Sequence, residues 1–155
     1  MNGTTALAET KIAVSSAQPA SKLVGATAAE YGALAWTEDN CTLENAPVLG
    51  RTFNAVESKL VCQKTNKDKK GTAKWDAVTF VMESDWGNDV QKILELAEKT
   101  PDVISFRITY PNGNIIYFQA QVAKFSISDG GDGDTMDKRS AELYPQMDEM
   151  IKKAA

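Results

Sequence analysis

Hydrophobic and polar residues alternate along much of the chain, a pattern typical of strands with one face in a core. The clearest case is a hairpin over residues 104–125, in which two alternating runs flank Asn112 and Gly113. Asn-Gly favours a type I′ turn, because both central residues then need positive φ. The apolar residues of the two runs are Ile104, Phe106, Ile108 and Tyr110 before the turn and Ile116, Phe118, Ala120 and Val122 after it. Beyond them the apolar positions change from even to odd numbers, which predicts a β-bulge near Ala123 and Lys124.

Four other segments predict strands by the same alternation. They cover residues 10–15, 51–61, 72–83 and 136–147. In the third of them Val78, Phe80 and Met82 share one face, and Trp75, Ala77 and Val81 share the opposite one. Such faces are expected of a sheet that packs a core on one side and contacts neighbours on the other. Residues 17–35 are rich in small residues and indicate an extended excursion, with one turn of helix around residues 28–31.

The two ends of the chain are expected to lie outside the sheet. Residues 1–10 are small and polar and predict an N-terminal arm. Pro145 can lie only at an edge or at the end of a strand, so a C-terminal tail is predicted over about residues 145–155. Its last part, residues 148–155, is expected to be a short helix or frayed.

One amphipathic helix is predicted over about residues 85–99. Its apolar residues recur at i, i+3, i+4 and i+7, the spacing of a single buried stripe. These residues are Val90, Ile93, Leu94 and Ala97. Ser84 or Asp85 is expected to cap the helix, and Pro101 to end it. The elements together indicate a mainly β (α+β) chain with one helix.

The bulk composition is that of one globular domain. The chain has 155 residues, 43% of them hydrophobic and 25% charged, which fits a single domain over residues 1–155. No apolar run approaches the roughly 20 residues that cross a bilayer, and the N-terminus carries no secretory signal. We therefore expect no membrane insertion, and folding in the cytoplasm of the producing cell.

The absence of histidine removes most familiar catalytic and metal chemistry. The sequence contains no histidine, the usual general base and the commonest zinc ligand. Its two cysteines, Cys41 and Cys62, are expected to be reduced thiols at packed positions. A net charge of −4 argues against tight binding of nucleic acid, which needs a basic surface. The sequence therefore predicts no catalytic activity and no cofactor.

Two charged segments stand out against this background. The first, residues 63–71, is the most basic part of the chain and predicts a long loop, with a solvated hairpin loop as the simplest interpretation. The second is an acidic, glycine-rich run that ends at Asp137. Its spacing fits neither the EF-hand nor the glycine-aspartate repeat of calcium-binding proteins, so an acidic hairpin tip is favoured over a calcium site.

Five short phrases occur in a recognisable order along the chain. They are Gln18-Pro-Ala-Ser21, Tyr31-Gly-Ala-Leu-Ala-Trp-Thr37, a charged loop ending in Lys70-Gly71, Asp85-Trp-Gly-Asn-Asp89, and, after a Pro-Asn-Gly turn, Tyr117-Phe-Gln-Ala-Gln-Val-Ala-Lys-Phe125. In this order the chain resembles the tail tube proteins, or major tail proteins, of long-tailed bacteriophages. The likeness extends over nearly the whole chain but rests on element order and short phrases. The chain departs from the family at Tyr144–Met150, where a proline interrupts the expected final strand.

The resemblance implies a β-sandwich or barrel-like tail-tube fold with one flanking helix. It also implies six-membered rings whose inner strands join around a channel, and stacking of those rings into a tube that conducts DNA. The implied partners are further copies of the chain, the tape measure, tail terminator and tail tip proteins, and DNA in transient, non-specific passage. The expected location is the tail of the virion, after assembly in the host cytoplasm.

Two sets of residues are candidates for roles in such a tube. Candidates for contacts between stacked rings are Lys64, Lys67, Lys69, Lys70, Asp129, Asp132 and Asp134. Candidates for the channel lining are Glu57, Lys59, Lys74 and Asp76. A neutral to negative channel is expected, because a basic lining would hold DNA by its phosphates.

Three other functions remain open on the sequence alone. The first is a monomeric β-sandwich module that binds carbohydrate or protein. The second is the tube protein of a contractile secretion system, which shares the implied architecture. The third, a small hydrolase that uses carboxylates alone, lacks a convergent site.

Overall fold

The computed structural model describes residues 10–39, 42–44, 47–58, 61–62, 64–65, 67–128, 138–147 and 149–154. Over these ranges the chain forms nine strands and two helices, so the mainly β fold expected from the sequence is confirmed. The elements are β1 (Lys11–Ser15), α1 (Ala28–Gly32), β2 (Thr37–Glu38), β3 (Arg51–Ser58), β4 (Lys67–Trp75), β5 (Val78–Glu83), α2 (Asp89–Glu98), β6 (Ile104–Thr109), β7 (Ile115–Ser128), β8 (Lys138–Pro145) and β9 (Ile151–Lys153).

Seven strands form one antiparallel sheet in the order β2-β1-β6-β7-β8-β5, with β9 also paired to β7. The central hairpin of β6 and β7 is the one expected, but its turn is not type I′. Gly113 has a φ of 89° whereas Asn112 is not left-handed, and the Gly113 amide donates to the Tyr110 carbonyl oxygen at 2.9 Å. This is a three-residue loop of the type I plus G1-bulge kind. Pro111 follows the first residue of the turn, a position that suits its fixed φ.

The predicted bulge in β7 is confirmed, and it lets the sheet curl on itself. The register between β7 and β8 shifts between Val122 and Lys124. Bulges of this kind bend the strand and increase its twist. As a result Phe80 on β5 meets Phe106 on β6, with ring centroids 5.8 Å apart, although β7 and β8 separate those strands in the sheet.

The segment that begins with β2 connects the two ends of the curled sheet. At its start Thr37 pairs with Val14 of β1. At its end the Glu44 amide donates to the Val81 carbonyl oxygen of β5, and the Glu83 amide donates to the Thr42 carbonyl oxygen, both at 2.8 Å. The sheet is thereby drawn into a barrel-like shape, because β1 and β5, near its two ends, both bond to one segment.

Buried polar side chains hold this closing segment against helix α2. The Asp39 carboxylate accepts hydrogen bonds from the Thr42 and Leu43 amides, at 2.9 and 3.2 Å, and from the Asn88 amide group at 2.9 Å. Asn88 also accepts from the Val90 amide and is the N-cap of α2. The expectation that Ser84 or Asp85 caps the helix is wrong, because α2 begins at Asp89.

The interior of the barrel is filled by the residues that alternate inward from each strand. Among the fully buried ones are Val78, Phe80 and Met82, which share one face of β5, together with Val90 and Leu94 of α2. The outer face of β1, β6 and the first half of β7 is also covered. There Tyr31 of α1 stacks on Tyr117 at 5.0 Å, and its hydroxyl accepts a hydrogen bond from the Gln119 side chain at 2.9 Å.

The C-terminal segment is a strand, so the expected helical or frayed end is wrong. Ile151 to Lys153 pair with Ile115 to Tyr117 of β7, while Pro145 is the last residue of β8. Between the two strands Met147 is buried in the core.

Candidate assembly surfaces

Strands β3 and β4 form a separate two-stranded sheet, called the arm below. Its register runs from Arg51 opposite Trp75 to Ser58 opposite Lys67. The long basic loop expected at residues 63–71 is therefore wrong in part, because Lys67, Lys69 and Lys70 lie in β4. The strand expected over residues 72–83 is likewise interrupted between β4 and β5.

Almost every described side chain of the arm is exposed. In β3 this holds for Arg51 through Glu57, and in β4 only Gly71 and Trp75 are partly buried. An isolated two-stranded hairpin in water is marginal in stability. The arm therefore gains little stability from its own buried surface.

A bulge at Gly71 sets the geometry of the arm. The register shifts between Phe53 and Ala55, so that Asn54 faces both Gly71 and Thr72. A Cβ atom at Gly71 would lie 2.9 Å from Cγ2 of Val56 and 3.0 Å from the carbonyl oxygen of Asn54. Only glycine fits this position without a shift of the backbone.

The arm has two chemically different faces. On the first, the Lys70 ammonium lies 4.9 Å from the centre of the Phe53 ring and the Arg51 guanidinium lies 5.5 Å from it. On the second, Thr52 donates to the Asp76 carboxylate at 2.9 Å, and Lys74 lies directly opposite Thr52.

The predicted channel residues do not share one face. Glu57 pairs with Asp68 and lies on the same face as Phe53, whereas Lys74 and Asp76 lie on the face of Thr52. Alternate residues of a strand point to opposite sides of the sheet, so the set is divided. Lys59, the fourth of the set, lies outside the described residues.

The charge of the arm is opposite to that of the rest of the chain. Residues 51–76 hold seven Lys or Arg and three Asp or Glu, a net charge of +4, so the remaining residues carry −8 of the total of −4. The four lysines among the predicted ring-contact residues belong to this basic part of the sequence. Lys64, Lys67, Lys69 and Lys70 lie in the tip half of the arm, while Asp129, Asp132 and Asp134 lie outside the described residues.

The arm also exposes apolar groups near its tip. Val56 is 54% exposed and Val61 is fully exposed. Cys62, expected at a packed position, is instead an exposed free thiol. The sequence pattern could not reveal this exposure, because it depends on the absence of a core beneath the arm.

A second uncovered surface lies beside the arm, on the outer face of β5, β8 and the second half of β7. Thr79, Glu142 and Lys124 form one row across these three strands, and each is polar. Between this face and the second face of the arm lies an open cleft of about 770 Å³, whose lining includes Lys74 and Tyr144. No described element packs over this row, in contrast to the covered outer face of β6.

The described residues offer no centre for metal chemistry. No group of three or more Cys, Asp or Glu side chains among them is placed to hold an ion. The acidic run that could bind calcium lies outside the described ranges. Nor does any helix in the described part of the chain have the length and apolar character to cross a membrane.

Three solved structures share this arrangement of strands and helices. The first, from the six-fold symmetrised cryo-EM structure of the anti-feeding prophage baseplate, covers 99% of this chain and 98% of its own with a TM-score of 0.69 at 8% identity. A subunit of the SPP1 tail tube covers 94% of this chain and 77% of its own, with a TM-score of 0.63 at 13% identity. The chain has the tail-tube fold.

A third likeness extends the tail-tube fold to a gene transfer agent. A chain of the native gene transfer agent virion covers 74% of this chain and 86% of its own, with a TM-score of 0.57 at 10% identity. No protein-family model and no curated protein sequence matches the chain. The resemblance to tail tube proteins inferred from the sequence is confirmed at the level of the fold. The likeness is visible in the structures, since the sequence identities are only 8–13%.

Proposed function

We propose that this chain is a structural subunit of a phage tail tube, assembling as hexameric rings that stack into a conduit for the viral genome. The observation that carries the proposal is the arm: an exposed, basic hairpin without a core, attached to an acidic barrel. Such a hairpin is completed by a neighbour, and the neighbour with the matching charge is another copy of the same chain. The role is structural, in the tail of a virion, after assembly in the host cytoplasm.

Ring formation follows from the edges of the arm. The described residues of β3 and β4 pair with each other, and no other strand pairs with their outer sides. Open strand edges are a template for pairing with another chain. A head-to-tail contact of this kind closes into a ring when its rotation permits. The six-fold symmetry of the anti-feeding prophage baseplate, whose chain shares the fold, supports a ring of six.

Stacking of rings is attributed to the basic tip of the arm. Lys67, Lys69 and Lys70 would face acidic groups of the adjacent ring, including Asp129 and Asp132. Exposed ion pairs contribute only about 0–1 kcal/mol each, but the contact repeats around every ring. We therefore expect assembly to weaken as the salt concentration rises.

The channel is assigned to the uncovered polar face rather than to the whole set expected from the sequence. Thr79 and Glu142 lie on this face, next to the cleft that reaches Lys74 and Asp76. These groups mix both charge signs, so the wall is not a continuous cation that would retain DNA. Glu57 is assigned to contacts between copies, because it lies on the opposite face of the arm.

The remaining partners belong to the same assembly. In a phage tail they are the tape measure, the tail terminator and the tail tip proteins. DNA would pass through without a specific site.

Charge reversal of the arm tests this proposal. The variant Lys67→Glu, Lys69→Glu, Lys70→Glu is expected to form rings but no tubes, seen by negative-stain electron microscopy. The matched control reverses Lys11, Lys92 and Lys99, which are also exposed and change the net charge equally. Normal tubes from the arm variant would refute the stacking role. A wild-type chain that stays monomeric at high concentration would favour a monomeric binding module.

A tube protein of a contractile secretion system is the second candidate. The match to the anti-feeding prophage baseplate, which spans both chains almost completely, favours it over a monomeric binding module or a hydrolase. Co-sedimentation of assembled tubes with a contractile sheath protein of the producing organism would identify that function. Tubes purified from virions without a sheath would exclude it.

A further inference from the structure

The arm meets the barrel at a root formed by the first residue of β3 and the last residue of β4. The chain enters the arm after Gly50 and leaves it at Asp76. The Asp76 amide donates a hydrogen bond to the Gly50 carbonyl oxygen at 2.9 Å. Beyond the root the described side chains of the arm are exposed. The direction of the arm therefore depends on what the root contacts.

The root contacts the C-terminal segment through two side chains. The Trp75 indole Nε1 donates to the Met147 carbonyl oxygen at 2.9 Å. Nη1 of Arg51 lies 2.8 Å from Oε1 of Glu149, in an ion pair that is partly exposed. The Arg51 guanidinium also lies 5.3 Å from the centre of the Trp75 ring, so the two contacts form one unit.

The space around the root leaves room for movement. On one side lies a hollow of about 470 Å³ lined by Arg51, Ala73, Trp75, Met147 and Glu149. On the other side lies the open cleft of about 770 Å³ next to β8. Both spaces are open to solvent, so close packing does not fix the arm on either side.

The C-terminal segment itself is fixed to the barrel at both ends. The Gln146 amide donates to the Gln119 carbonyl oxygen at 2.9 Å, and Met147 is buried. After the root contacts, the segment continues into β9, three residues long and paired to β7. Such a short edge strand with two exposed residues belongs to the least stable part of a fold.

We propose that the C-terminal segment, through its described residues 146–147 and 149–153, is a tie that sets the direction of the arm. With β9 on β7, Met147 and Glu149 lie under the root and hold it. When β9 leaves β7, the root loses both contacts and the arm swings between the hollow and the cleft. The tie would control assembly under the proposed function, but its effect on the arm does not depend on that function.

Distance measurements on the unassembled chain test the tie. One spin label is attached to the native Cys62 at the arm tip, and another to a cysteine at the exposed position of Leu96, in a Cys41→Ser background. Labelled protein is diluted with unlabelled protein, so that only distances within one chain contribute. Pulsed electron–electron double resonance in frozen solution then gives the distribution of the distance between the labels.

The double variant Trp75→Phe, Glu149→Gln removes the indole donor and the ion pair but keeps an aromatic ring. We expect the width of the distribution to increase about twofold, since motion of the arm is no longer restrained at its root. The exchange Arg51→Glu with Glu149→Arg, with Trp75 retained, restores the ion pair and is expected to restore the wild-type width. An unchanged width in the double variant would overturn the proposal.

A matched control removes an equally short ion pair elsewhere. Arg107 lies 2.8 Å from Glu38, far from the arm root in the sequence, and the variant Glu38→Gln is expected to keep the wild-type width. Equal broadening in this control would assign the effect to general loosening and would also overturn the tie. If the distances behave as expected while no variant or wild-type chain forms rings, the tie stands and the tube function fails.

Discussion

The bulge of the arm offers the sharpest test of the link between local geometry and assembly. Gly71→Ala adds one methyl group 2.9 Å from Cγ2 of Val56 and 3.0 Å from the Asn54 carbonyl oxygen. Because carbon atoms pack best at about 3.5 Å or more, the methyl group overlaps Val56 by about 0.6 Å. Overpacking of this kind costs about 1–3 kcal/mol.

Part of this cost is offset, because alanine loses about 0.5–1 kcal/mol less conformational freedom than glycine on folding. The net loss, up to about 2.5 kcal/mol, falls on a hairpin that is marginal by itself. We expect pairing in the arm to be lost while the barrel keeps its stability. Hydrogen exchange should accelerate at the paired amides of β3 and β4, and electron microscopy should show no tubes.

The control for this experiment is Gly32→Ala, where an added methyl group meets no atom within 4 Å. It should leave hydrogen exchange and assembly unchanged. Combining Gly71→Ala with Val56→Ala removes one of the two clashes and should restore part of the protection. Normal tubes from Gly71→Ala with protected arm amides would refute the reasoning. So would a loss of barrel stability, measured by urea unfolding, as large as the loss in the arm.

Two further predictions concern the barrel. Asp39→Ala removes the acceptor of the Thr42, Leu43 and Asn88 donors, so we expect the free energy of unfolding in urea to fall by about 2–4 kcal/mol. The control is Glu98→Ala, which removes an exposed carboxylate on α2. An equal loss in the control would contradict the role of the Asp39 hydrogen bonds. Burial raises the pKa of the Tyr31 hydroxyl above its ordinary value of 10.0, against a smaller lowering by the hydrogen bond from Gln119. The folded chain then keeps this proton when the unfolded chain loses it, so stability falls as the pH rises above about 10. In Tyr31→Phe the fall between pH 8 and 11, followed by urea unfolding, should be smaller than in wild type; an identical fall would contradict this assignment.

The sequence predicted those parts of the fold in which local pattern and tertiary packing agree. The hairpin of β6 and β7 and the bulge in β7 both follow from alternation against one core. Where several lysines lie close together, as in β4, side-chain preference favours a loop. The pairing of Lys67, Lys69 and Lys70 with β3 overrides that preference, and nothing in the pattern of β4 alone indicates it.

Other features depend on contacts between residues distant in sequence, so the local pattern of hydrophobic and polar residues did not predict them. Asp39 reads as part of a polar turn, yet it joins the closing segment to the cap of α2. The strand β9 is only three residues long, and two of them are lysines, so its sequence favours an exposed tail. The predicted type I′ turn was wrong because the prediction used Asn112-Gly113 and ignored Pro111. A proline favours the second position of a type I turn, the position that Pro111 holds here.

The place of β1 in the sheet has a consequence for synthesis of the chain. Lys11 pairs with Thr109, and 109 − 11 = 98 residues separate the two partners. A ribosome adds about 5–20 residues per second, so the first strand emerges roughly 5–20 s before its partner exists. During that interval Ile12 and Val14, which are buried in the finished barrel, have only the two-residue strand β2 as a partner. Nascent chains that end before β6 are therefore expected to be the form that most needs chaperones.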